Sequence, residues 1–130
     1  MQDQYLDDKA NMKDLEISTY QSALTELQKN YINNGGKFQV SKMLSENNKY
    51  IVNDGDNVFE GYIKEHKDNA GNIIRHELVD AKGDAIIHEI DADAVNIANM
   101  QAKIGKAQSD VKKMRQRAEE QKQKANGGKK

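Results

Sequence analysis

Two stretches of the chain place apolar side chains at alternating steps of three and four residues. In the first, the positions are Asp3, Leu6, Ala10, Lys13, Ile17, Tyr20, Leu24, Leu27 and Tyr31. Seven of these nine are apolar or Tyr, against about three expected for a chain that is 36% hydrophobic. Because a helix turns once in about 3.6 residues, this spacing draws one apolar stripe along it. The stripe is cleanest from Ile17 to Tyr31. Asn33-Asn34-Gly35-Gly36 then ends the helix, since Asn and Gly accept the left-handed conformation of a C-cap.

The second stretch is cleaner. Ile97, Met100, Ile104, Ala107, Val111, Met114, Ala118, Gln121 and Ala125 follow the same spacing, and eight of the nine are apolar. Asp91 and Asp93 offer N-caps at the positive end of the helix dipole, and Lys122 and Lys124 sit near the negative end. Gly127-Gly128 stops the helix.

The segment between reads as β structure. Asp68-Asn69-Ala70-Gly71-Asn72-Ile73-Ile74-Arg75-His76-Glu77-Leu78 aligns with Asp80-Ala81-Lys82-Gly83-Asp84-Ala85-Ile86-Ile87-His88-Glu89-Ile90, a repeat of 12 residues. Each copy opens on a turn in which Gly supplies positive φ, then runs into an apolar strand. A turn in every repeat predicts an antiparallel meander, with Val58–His66 and Lys49–Asn53 as earlier strands. Phe38–Leu44 reads as a further strand or, over Val40–Glu46, as a short helix. If Leu78 pairs with Ile86, then His76 faces His88, and Ile74, His76, Leu78, Ile86, His88 and Ile90 share the core side.

The expected fold is therefore α+β. Two long heptad-patterned helices, about 3–33 and 93–126, form an antiparallel coiled-coil-like pair flanking a small antiparallel β-meander. Segment boundaries fall at 1–36, 37–91, 92–126 and a flexible basic tail, 127–130, within one structural domain. Antiparallel pairing sets Tyr31 near Ile97, Leu24 near Ile104, Tyr20 near Ala107 and Ile17 near Val111. A large Tyr opposite a small Ala suits interdigitating layers. Each helix reaches roughly 45 Å, and so thin a stripe buries little. Met12, Leu15 and Ala23 widen the apolar face of the first helix beyond what the second can cover. The helices pair either within one chain or between chains.

Charge strengthens the antiparallel reading. Residues 1–36 carry 6 acids and 3 bases, residues 37–102 carry 12 and 7, and residues 103–130 carry 3 and 10. The partial charges, −3, −5 and +7, sum to the chain's −1. In antiparallel pairing Asp3, Asp7, Asp8 and Asp14 fall beside Lys112, Lys113, Arg115, Arg117 and Lys122. Exposed ion pairs are worth only ~0–1 kcal/mol each, so they select orientation more than they stabilise.

Composition narrows the function. The chain has no Cys and no Pro. Disulfides, thiolate chemistry and Cys-ligated zinc are excluded, and long helices run uninterrupted. It has no run of about 18 apolar residues to span a membrane and no apolar secretory h-region. The expected location is cytoplasmic, or within a virion assembled in the cytoplasm. The chain contains no Gly-x-Ser-x-Gly elbow, P-loop, dinucleotide fingerprint or His-Glu-x-x-His. Asp54-Gly55-Asp56-Asn57 lacks the ligand spacing of a calcium loop. The expectation is a protein that is not an enzyme and uses no cofactor.

Three candidate sites follow. The protein-interaction set is Met12, Leu15, Ile17, Tyr20, Leu24, Leu27, Tyr31, Ile97, Met100, Ile104, Val111 and Met114. His76 and His88 are the candidates for a metal, although the repeat itself accounts for their recurrence. Lys112, Lys113, Arg115 and Arg117 are candidates for phosphate contact, in a segment without aromatics to stack on bases. In layout, helix–β–helix with paired helices resembles the prefoldin type of chaperone subunit, with a longer β region and none of that family's motifs matched. The first functional expectation is a non-catalytic assembly component, such as a small phage virion protein, with protein partners (itself or a larger assembly). A holdase and a non-specific nucleic-acid accessory protein are the alternatives.

Overall fold

The computed structural model describes residues 2–46 and 48–127, with side chains over 5–46 and 48–121. The expected tail from 128, and the side chains of Asp3, Lys122, Lys124 and Ala125, lie outside the described residues. The protein is α+β. In chain order it runs α1 Gln2–Asn33, β1 Gln39–Lys42, β2 Lys49–Asn53, β3 Val58–Lys67, β4 Ile73–Val79, β5 Ala85–Ile90 and α2 Ala92–Gly127. The strands form one antiparallel sheet in the order β1-β2-β3-β4-β5. Residues 39–42, which the sequence left open between strand and helix, pair with β2.

Local chemistry sets the boundaries. At the end of α1, Gly36 N–H donates to Tyr31 C=O and Gly35 N–H to Ile32 C=O, with Gly35 at φ 83°. These two bonds are a Schellman C-cap. The repeated turns share one geometry. Asp68 Oδ1 accepts the N–H groups of Ala70 and Asn72, as Asp80 Oδ1 accepts those of Lys82 and Asp84. Gly71 and Gly83 take φ of 87° and 89°.

The chain divides into two compact units, Met1–Ala23 with Lys103–Lys130, and Leu24–Ala102. In the second, one face of the sheet carries Val40, Tyr50, Val52, Leu78 and Ile90. These side chains form a core with Tyr31, Ala94, Val95, Ile97 and Ala98 of the helices, and Leu24 and Leu27 pack against it. Val52 and Leu78 are wholly buried; such a side chain contributes about 1.5–3 kcal/mol. Leu24, Leu27, Tyr31 and Ile97, expected along a helix–helix stripe, therefore lie in or against a core that sheet residues share.

The helical unit buries Ala10, Ile17, Ile104, Ala107, Val111 and Ala118. Arg115 Nη2 reaches Asp14 Oδ2 and Asn11 Oδ1, and Lys103 Nζ lies 4.3 Å from the centroid of the Tyr20 ring. Position 14 meets 115 while position 20 meets 103, so the two segments run in opposite directions.

Met12 and Leu15 correct the sequence expectation. At about 100° per residue, Met12 lies about 200° and Leu15 about 140° round the helix from Ala10. They stand opposite the buried stripe rather than widening it, and they are 71% and 72% exposed.

A second correction concerns β4 and β5. His76 pairs with Ile90, Leu78 with Ile87 and Val79 with Ala85, with register shifts at both steps. Two bulges put extra residues on β5, so the expected pairs Leu78–Ile86 and His76–His88 do not form.

Candidate functional site

The bulges decide where the histidines go. His76 faces the core and is 9% exposed. His88 is exposed on the other face, where Arg75 Nη1 lies 3.3 Å from its Nδ1 and donates to its carbonyl at 2.7 Å. The two rings stand on opposite faces of the β4–β5 pair and cannot share an ion. Among the described residues there is no group of three or more His, Asp or Glu placed to hold a metal.

The open face instead carries a charged row that the sequence reading missed. His66 on β3 pairs in register with Arg75 on β4, as Lys64 does with Glu77. His66 Nε2 lies 2.8 Å from Glu77 Oε1, and Arg75 Nη1 lies 3.7 Å from Glu77 Oε2. His66 first, then Arg75 and Lys64, hold the Glu77 carboxyl below its ordinary value, against the opposing effect of burial. Farther along, Lys49 joins Glu46 and Glu60 at 3.2 and 3.4 Å. Only the strand pairing brings His66 beside Glu77, 11 positions apart. No nucleophile adjoins His66 in this row, whose members compensate one another's charge.

Tyr31 joins three elements. Its hydroxyl donates to Asp91 Oδ2 at 2.8 Å and accepts the Phe38 N–H at 2.9 Å. Burial, the largest cause, raises its pKa. Asp91 holds the N-cap position of α2, its carbonyl accepting from Ala94 and Val95. A Cβ on Gly36 would clash with Cε1, Cζ and Cδ1 of the Tyr31 ring, so a larger residue there would displace the ring. Tyr50, its pKa raised chiefly by burial, donates similarly to Asn99 Oδ1 at 2.7 Å. Beside Tyr31 an open cleft of about 640 Å³ is bordered by Lys37, Arg75, Glu89, Asp91 and Asp93. Its mixed charges select no one class of small molecule.

The helical unit presents two further surfaces. Tyr5, Met12 and Leu15 are exposed on α1. On α2, Lys112, Lys113 and Arg117 are exposed, while Arg115 is engaged by Asp14 and Asn11. Of the expected interaction set, Ile17, Tyr31, Ile97, Ile104 and Val111 are buried, and Tyr20, Leu24, Leu27, Met100 and Met114 are half-buried. Met12 and Leu15 alone in that set are open to a partner. No helix among the described residues is long and apolar enough to cross a membrane. Comparison with family models, curated proteins and solved structures finds no match to this chain.

Proposed function

We propose that the protein is a non-catalytic assembly component that acts through helix-mediated contacts with other proteins. The observation that carries this reading is the exposure of Met12 and Leu15 on the side of α1 away from Ala10 and Ile17. Two large unbranched or γ-branched apolar side chains held in water within two helical turns have no role in this unit's own packing. Such a surface suits an apolar partner groove. The pairing of α1 with α2 is read here as an antiparallel coiled-coil-like hairpin, its heptad stripe running through Ala10, Ile17, Ala107, Val111 and Ala118. The hairpin would act as a rigid presenter of the outer face. A small phage virion protein is one assembly role that fits.

The test is a paired substitution, Met12→Asp with Leu15→Asp, which touches none of the buried stripe. The variant should fold with unchanged helix content and fail to co-purify in fixed ratio with the products of neighbouring genes. Undiminished stoichiometric co-purification would exclude this face. The same variant separates the holdase reading, in which suppression of aggregation of unrelated proteins falls instead. A nucleic-acid role rests on the exposed Lys112, Lys113 and Arg117, and predicts salt-sensitive binding of a DNA duplex that Met12→Asp leaves unchanged.

A further inference from the structure

The sheet has two outer edges, and they differ. On β5 the two bulges break the row of outward backbone groups and twist it, a usual protection against further pairing. On β1 the register is regular, with Gln39, Val40, Ser41 and Lys42 opposite Asn53, Val52, Ile51 and Tyr50. Met43 N–H donates to Lys49 C=O at 2.8 Å, which sets the phase of the ladder. In an antiparallel pair the hydrogen-bonded positions alternate. Positions 39, 41 and 43 therefore turn their backbone groups toward β2, and Val40 and Lys42 turn theirs outward. Among the described residues no hydrogen bond uses those outward groups. Lys is a common guard of sheet edges, but the Lys42 ammonium leans over the Tyr50 ring on β2, 5.7 Å from its centroid, away from the free edge.

We propose that β1 pairs antiparallel with β1 of a second copy of this chain, about a two-fold axis at Ser41. In that register Val40 opposes Lys42 of the other copy, and Lys42 opposes Val40. All the outward N–H and C=O groups of the four residues are then used, in four hydrogen bonds. Continuing the register brings Phe38 toward Leu44 of the other copy, and Lys37 toward Ser45, at both ends. Leu44, 67% exposed in the single chain, gains an apolar neighbour. Ile32 and Val58, also exposed, border an open cleft of about 750 Å³ along this edge. The product is a continuous sheet of twice 5 strands. This surface is separate from the Met12–Leu15 face and does not depend on the assembly reading.

The chain has no cysteine, so Ser41→Cys introduces its only thiol. Positions 41 of the two copies form a non-hydrogen-bonded pair, with Cα atoms about 4.5 Å apart, within reach of a disulfide. Light scattering over a range of concentrations should show the wild-type mass rising from 14.7 kDa toward twice that value. Ser41→Cys should then cross-link on mild oxidation into a reducible dimer. Lys42→Pro, which removes one outward N–H per chain and leaves β2 pairing intact, should weaken association about thirtyfold, the loss of two hydrogen bonds. Met12→Asp with Leu15→Asp should leave the dimer unchanged. A wild-type chain that stays monomeric at every concentration overturns the proposal. So does a dimer in which the Ser41→Cys variant fails to cross-link, a criterion that stands even if the proline variant does not fold.

Discussion

Replacing Tyr31 with Phe removes one oxygen atom and, with it, two hydrogen bonds that converge from different elements. The ring itself stays and keeps its packing against the sheet core. What changes is the satisfaction of polar groups. Phe38 N–H, part-buried, loses its acceptor and keeps its desolvation, at a cost of about 1–2 kcal/mol. Asp91 is exposed and can turn to water, so its loss adds roughly 0.5 kcal/mol. The expected destabilisation is about 2 kcal/mol, or roughly 8 °C in Tm for a chain of this size. Urea titration followed by far-UV circular dichroism measures it, provided the m-value matches the wild type. Asp91→Asn keeps an acceptor and should cost less than Tyr31→Phe. A double-mutant cycle of Tyr31→Phe with Asp91→Ala, which removes the acceptor, should return a coupling of about 0.5 kcal/mol. A Tyr31→Phe variant within about 0.5 kcal/mol of wild type would refute the idea that this hydroxyl ties the end of α1 to the start of α2.

Four further outcomes are expected. Gly61 faces the core from β3, and a Cβ there would lie 2.5 Å from the Val79 carbonyl oxygen and 3.2 Å from Leu78 Cδ1; Gly61→Ala should cost about 1–3 kcal/mol, and an unshifted urea midpoint contradicts it. The Glu77 carboxyl is held low by His66, then Arg75 and Lys64, so its contribution to stability is present above the ordinary carboxylate value of about 4.3 and lost as pH falls through the depressed one. Glu77→Gln should accordingly flatten the dependence of Tm on pH below about 4.3, and superimposable acid slopes for the two proteins count against the assignment. Arg115→Ala removes a half-exposed pair with Asp14 and should cost only ~0.5 kcal/mol, a difference that vanishes in molar salt; a salt-independent loss would point to packing instead. Zinc should leave Tm unchanged in both wild type and His88→Ala, because His76 and His88 face opposite ways, and a zinc-dependent rise abolished by that substitution would overturn the strand register.

The elements were legible in the sequence wherever one local pattern dominated. The stripe from Ile17 to Tyr31 and the Asn33–Gly36 stop predict α1, and its end is a Schellman cap at those residues. The Asp-x-x-Gly repeats predict two turns, which share hydrogen bonds atom for atom. The charged row on the sheet was not legible, since His66 and Glu77 meet only through the β3–β4 register. The sole signal for it was alternation, which put Arg75 and Glu77 on the face away from Leu78. The misread pair His76–His88 failed for a related reason. The repeat implies equal strands, but bulges on β5 displace its side chains, and nothing in the apolar pattern marks an extra residue.

What the sequence determined by itself is the set of segments, because helix periodicity, capping residues and turn glycines act over a few neighbouring positions. What the tertiary structure alone decided is how each apolar side chain is used. Two helices with one continuous stripe apiece read as one helix–helix contact. The fold places Leu24, Leu27, Tyr31 and Ile97 in or against the core shared with the sheet and Ile17, Ala107 and Val111 in the helical unit. It leaves Met12 and Leu15 in water on the opposite side of α1. Periodicity reports that a face is apolar; the partner that covers it depends on residues tens of positions away, brought near only by the tertiary fold.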